Sequence, residues 1–162
     1  MKAPTYFCAM YSKQETAALK QQFWTIFGKY MAPVLSAEGE LVNWINYKTG
    51  EKDIYFRMRA DSKKAAISIE LTHKDPDVQQ LYFEQFVLLK NLFTDMVASA
   101  WEWQLHTADE NGRIISIITK EVAGYSIFKK EDWPALISFF KTEMIRLDEF
   151  WSQTKYSFES LR

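Results

Sequence analysis

The stretch LVNWINYKTGEKDIYFRMRADSKKAAISIELT, residues 41–72, decides the fold. In its middle, Ile54, Phe56 and Met58 alternate with Tyr55, Arg57 and Arg59. Further on, Ile67, Ile69 and Leu71 alternate with Ala66, Ser68, Glu70 and Thr72. Period two with one apolar side predicts strands lying half on a core. A two-residue loop at Ser62-Lys63 pairs Ile54 with Leu71, Tyr55 with Glu70, Phe56 with Ile69, Arg57 with Ser68, Met58 with Ile67 and Arg59 with Ala66. Every apolar residue then meets another, and a one-residue slip would turn a whole set of side chains over. LVNWINY, 41–47, reads as a preceding strand joined through Gly50, whose positive φ suits a tight turn. That strand sets Ile45 against Ile54, Trp44 against Tyr55 and Asn46 against Asp53. One face of the meander is apolar. The other collects Trp44, Asn46, Asp53, Tyr55, Arg57, Arg59, Glu70 and Thr72.

Outward from the meander the pattern turns helical. Ser12 and Glu15 fit a capping box that opens a helix to about Tyr30, with Leu19, Phe23, Ile26, Phe27 and Tyr30 as its apolar stripe. Residues 1–11 read as an arm or an edge strand. Asp75-Pro76 opens a second helix over about 76–97. Its wide stripe, from Val78 and Leu81 to Phe93 and Met96, predicts deep burial. WEWQLHT (101–107) and RIISIITK (113–120) form a hairpin around Asn111-Gly112. The second of these is apolar on both sides, which suggests a central position with cover on each side. The crossover through the second helix is long enough to make the fourth strand parallel to the third, in which case it is right-handed. Asp132-Trp133-Pro134 starts the last long helix, to about Trp151. The expectation is one α+β domain over residues 1–162. It has a mainly antiparallel five-stranded sheet and three principal helices, in the order α-β-β-β-α-β-β-α.

Composition excludes several classes. The 162 residues are 48% hydrophobic and 25% charged, as in an ordinary globular domain. A net charge of -1 gives no general pull toward nucleic acid or acidic membranes. One cysteine, Cys8, allows no internal disulfide. With no signal-like or membrane-spanning apolar run, a cytoplasmic location is expected. The aromatic share of 16% exceeds a core's ordinary needs and suggests an interface, with a homodimer or another protein as partner.

Two constellations lie on the mixed face. Trp44, Tyr55, Arg57 and Arg59 put rings beside guanidiniums, which suits stacking bases or holding phosphates or, more plainly, a face covered by a helix or a second subunit. Asp53 and Glu70 share the face diagonally, and Glu15 on the first helix is a third carboxylate to set beside them. The element order helix, three strands, helix, strand resembles that of an endonuclease-like core. The resemblance implies an acidic residue opening the second strand and Glu-x-Lys near the end of the third. Together these would hold Mg²⁺ and activate water for phosphodiester cleavage. Here Glu70-Leu71-Thr72 has threonine in the lysine's place. The plain reading is an ion pair between Glu70 and Arg57, with Asp53 capping a turn. His73 and His106 sit at strand ends, far apart in sequence. Nucleophile elbows, phosphate loops and dinucleotide fingerprints are absent.

FWTIFGKYM, WINYKTGEKDIYFRMRADSKKAAISIELTH, LYFEQF, WEWQL and EDWPALISFFKTEMIRLDEFW together resemble an uncharacterised prokaryotic family, a domain of unknown function. Its members occur alone or C-terminal to endonuclease-like domains. The resemblance implies company with DNA-processing or defence systems and transfers no functional residue. The expected function is a non-catalytic accessory or interaction domain that self-associates. The alternative is a metal-dependent nuclease, or a degenerate relative that still binds nucleic acid.

Overall fold

The computed structural model describes residues 12–162. The arm or edge strand read over residues 1–11, and Cys8 with it, lies outside the described residues. Helix α1 spans Lys13–Met31, and strands β1 (Ile54–Ala60) and β2 (Lys64–Leu71) follow. Helices α2 (Pro76–Leu88) and α3 (Lys90–Met96) lead to β3 (Glu102–Ala108) and β4 (Ile114–Ala123). Helix α4 (Trp133–Thr154) lies between 3-10 turns at Lys130–Asp132 and Lys155–Leu161. The architecture is α+β, and the described residues form four helices and a four-stranded antiparallel sheet in the order β1-β2-β4-β3.

The central hairpin has the register its alternation demands. All six pairs from Ile54–Leu71 to Arg59–Ala66 are formed. Asp61 closes the two-residue loop, with its N–H donating to Lys64 O at 2.9 Å and its carboxylate accepting from the N–H groups of Lys63 and Lys64. β4 is central, as expected, and pairs with both β2 and β3, but among the described residues the helices cover one side of it and not each. β3 therefore runs parallel to β2, but with β4 between them.

The strand expected over 41–47 does not form, so among the described residues the sheet has four strands and not five. Asn43 is the local cause. Its side-chain oxygen accepts from the N–H groups of Ile45 (3.1 Å) and Asn46 (3.0 Å), which curls the backbone away from an extended path. Trp44 turns into the core, and its indole N–H donates to Val34 O at 3.0 Å. Ile45, placed on the apolar sheet face by the alternation, instead lies against Gly28 of α1, where a Cβ would stand 3.0 Å from its Cδ1. Tyr47 stacks on Phe56 at 5.1 Å and donates its phenol proton to Asp148 of α4 at 2.6 Å. Residues 32–53 thus form a cap tying α1, β1 and α4 together.

The helix starts are mostly as read. Ser12 Oγ accepts from Glu15 N and donates to the Glu15 carboxylate, and Asp75 accepts from Asp77 N. Asp132 does not cap α4. Its carboxylate accepts from Ser126 N, holding the preceding turn. The second helix is two, broken at Leu89, whose N–H closes on Phe86 O in a 3-10 turn. Its stripe is also less buried than expected. Tyr82, Phe83, Phe86 and Phe93 face the core, while Val78 and Leu81 are exposed. On α1, Phe23, Phe27 and Met31 are buried, whereas Ile26 and Tyr30 face solvent.

Among the described residues the core lies on one side of the sheet. Ile54, Phe56, Ile67, Ile69 and Leu71 meet a layer of rings from all four helices, among them Phe27, Phe86, Phe93, Phe140 and Trp151. Much of the aromatic surplus is therefore interior. Large rings bury more area than aliphatic side chains, each contributing about 1.5–3 kcal/mol when fully covered.

Candidate functional site

The opposite sheet face is the candidate. By register, Arg59, Ala66, Ser68 and Glu70 share it with Ile117, Thr119 and Glu121 of β4 and with Glu102 and Gln104 of β3. These residues line a trough of about 750 Å³, with Lys20 and Trp24 of α1 at one end and the β3–β4 turn, Asp109 to Asn111, at another. No other helix of the described residues lines it.

Glu70 is fixed at the bottom of the trough, 6% exposed. Its carboxylate accepts from both terminal nitrogens of Arg59, the second at 3.3 Å, and from Ser68 Oγ at 2.9 Å. The hydrogen bond to Glu70 raises the Arg59 guanidinium above its ordinary pKa. Arg59 reaches along the sheet to Glu70, so Arg57 is not the partner. The Arg57 guanidinium lies over the Tyr55 ring, 4.3 Å from its centroid. Both sit on the same face but outside the trough lining. Trp44 is absent from the face altogether. Of the four residues predicted to form a ring-and-guanidinium cluster, Tyr55 and Arg57 touch each other, Arg59 binds Glu70, and Trp44 is in the core.

The three carboxylates are placed as follows. Asp53 adopts φ 65° just before β1, and Thr72 Oγ1 lies 3.4 Å from its carboxylate. Glu70 is engaged as above. Glu15 stays at the first turn of α1 with Ser12. The three share no hydrogen-bond partner, and among the described residues no three His, Cys, Asp or Glu side chains converge as a metal would need. The two histidines are also separate. His106 adopts φ 52° at the irregularity in β3, and its Nε2 is 3.0 Å from Pro76 O. His73 is buried, stacked on Tyr82 at 4.3 Å, and neither ring nitrogen has a hydrogen-bond partner among the described residues. Burial lowers its pKa.

Two buried polar clips escaped the sequence reading. Gln79, 1% exposed, donates to His73 O and Ile114 O and accepts from Ser116 Oγ at 2.6 Å, joining α2 to β4. Asp148, 4% exposed, accepts from Tyr47 and from Ala37 N at 2.7 Å. The phenol of Tyr47 is raised above its ordinary pKa, by burial first and by the Asp148 hydrogen bond second.

The trough is negatively charged. Asp61, Glu70, Glu102, Asp109, Glu110 and Glu121 face Lys20, Arg59 and Lys64, so six carboxylates meet three cations. Two of those cations are committed, Arg59 to Glu70 and Lys64 to Glu121 at 2.7 Å.

Fold and site together define an α+β domain with helices on one face of an antiparallel sheet and an open acidic trough on the other. Residues 19–155 match the family model described as a domain of unknown function (DUF4268), and the chain belongs to that family. No curated protein and no solved structure matches it. Among the described residues no helix is long and apolar enough to cross a membrane.

Proposed function

We propose that this is a non-catalytic interaction domain and that the open sheet face receives a protein partner. The observation that carries this is that, among the described residues, the helices pack over the other face of the sheet and leave this one open. A sheet commonly buries each face or solvates it with polar residues. Here Ala66, Ile115 and Ile117 line the floor among polar side chains, and a groove that sets apolar groups between polar ones is what partner recognition uses. The resemblance to proteins found beside endonuclease-like domains suggests the setting, an accessory role next to a prokaryotic nuclease. To test it, a random peptide library is selected on the immobilised domain. Selected peptides should lose binding on Thr119→Trp, which fills the floor. Enrichment insensitive to that change, or none, removes the reading.

The proposal includes self-association, on a different surface. Val78, Leu81, Gln85 and Leu88 recur at intervals of three, four and three along the outer flank of α2, and Leu88 is 79% exposed. Such spacing is that of a helix–helix seam. Light scattering should show a dimer that Leu81→Glu with Leu88→Glu converts to monomer. A wild type that stays monomeric at high concentration ends this part of the proposal.

The nuclease reading rests on Asp53 and Glu70 lying toward one face. Against it stand the engaged Glu70 carboxylate, Thr72 in the lysine's place, and a trough whose charge repels phosphate. Incubating plasmid DNA or single-stranded RNA with the protein and Mg²⁺ or Mn²⁺ should give no cleavage. Cleavage that Glu70→Gln abolishes would reverse the assignment.

A further inference from the structure

We infer that the partner seated in the trough is an extended protein segment rich in lysine or arginine, an inference that rests on the interaction reading above. The carboxylates outnumber the cations by three, so the trough holds a formal charge of -3. The whole chain carries only -1. The rest of the molecule is therefore net positive, and the negative charge is gathered on this one face. Its placement matters as much as its sum. Glu102 on β3, Glu110 in the turn and Glu121 on β4 are exposed at the rim, while Ser68, Glu70 and Ile115 at the floor are buried. Glu102 and Glu110 have no ion-pair partner among the described residues. A cationic side chain can reach the rim while its neighbours lie on Ala66, Ile115 and Ile117. Nucleic acid would meet repulsion at the same rim, and a second copy of this chain offers no comparable basic strip among the trough's own residues.

The test uses fluorescein-labelled seven-residue peptides in which valine alternates with lysine, threonine or glutamate, read by fluorescence anisotropy near physiological salt. The lysine peptide should bind most tightly. Glu102→Lys with Glu110→Lys should weaken it by about tenfold, the loss expected when two exposed attractions become repulsions. Glu149→Lys, on the exposed surface of α4, should leave binding unchanged. If all three peptides bind alike and Thr119→Trp blocks them, the face is a recognition surface without charge selection. That outcome overturns the inference and leaves the interaction reading standing. If none binds, and library selection also fails, both fall. Tighter binding of the glutamate peptide or of a single-stranded oligonucleotide overturns the inference directly, as does a dimer that dissociates on the Glu102/Glu110 reversal.

Discussion

If Glu70 is a structural anchor of the trough, its coupling must be to Arg59 and not to the neighbour that simple cross-strand pairing favours. The side chain of Glu70 is 7% exposed and that of Arg59 is 54% exposed. Hydrogen bonds to charged groups contribute about 1.5–3 kcal/mol when shielded, and exposed ion pairs about 0.2–1 kcal/mol. With one partner half in water, a coupling of about 1 kcal/mol is expected. Glu70→Ala should cost about 1–3 kcal/mol, because Ser68 Oγ, itself buried, loses its acceptor. Arg59→Ala should cost about 1 kcal/mol, since the screened pair is what it removes and Ser68 still donates to the carboxylate. The double variant should then be more stable than the sum of the two losses implies, by about the coupling energy. Urea denaturation of the four proteins at pH 7 measures this directly. A second cycle with Arg57→Ala serves as the control and should show no coupling to Glu70. Coupling through Arg57, or none through Arg59, would refute the geometry from which the trough is built.

Three further outcomes follow from the buried polar groups. Tyr47→Phe removes the shorter of the two bonds to Asp148 and should cost about 1.5–3 kcal/mol, with hydrogen exchange accelerated first in residues 32–53. A uniform loss of protection would mean that the cap is not held there. Gln79→Leu deletes three bonds at about 1 kcal/mol each, which for a chain of this size lowers Tm by roughly 6–12 °C in calorimetry; an unchanged Tm would show that water replaces them. For His73 the sign is fixed by burial. Its folded-state pKa is depressed below the ordinary 6.5, so the unfolded chain takes the proton more readily. Asp53 opposes the shift and Lys52 assists it, and Glu51, Tyr82 and Arg162 are the other titratable groups nearby. Stability should be full above about pH 6.5 and fall as pH drops toward the folded value, by at most about 1.4 kcal/mol per unit. His73→Phe should flatten that slope in urea titrations between about pH 5 and 7, and a slope left intact would locate the acid sensitivity elsewhere.

What the sequence could show depended on how far apart the deciding partners lie. The β1–β2 register was readable because its signal is local. Seven alternating positions on each side of Ser62-Lys63 admit one pairing that keeps apolar residues together. The strand over 41–47 failed because alternation does not report what the backbone donors prefer. Asn43 satisfies two of them within three residues, and the bond that fixes Tyr47 comes from Asp148, 101 positions away. The same distance effect hid the trough. Glu70 could be placed on a face, but Glu102, Glu110 and Glu121 join it only because β4 inserts between β2 and β3. A net charge of -1 gave no hint of them, because it adds an acidic face to a basic remainder. Arg59 shows the limit most directly. Pairing rules give a sheet residue its directly opposite or diagonal neighbour, yet this side chain is long enough to pass Ser68 and reach Glu70, four residues beyond its partner Ala66. For a flexible cation the partner is whichever carboxylate is least hydrated within reach. That depends on burial, and burial depends on strands that the hairpin's own sequence does not contain.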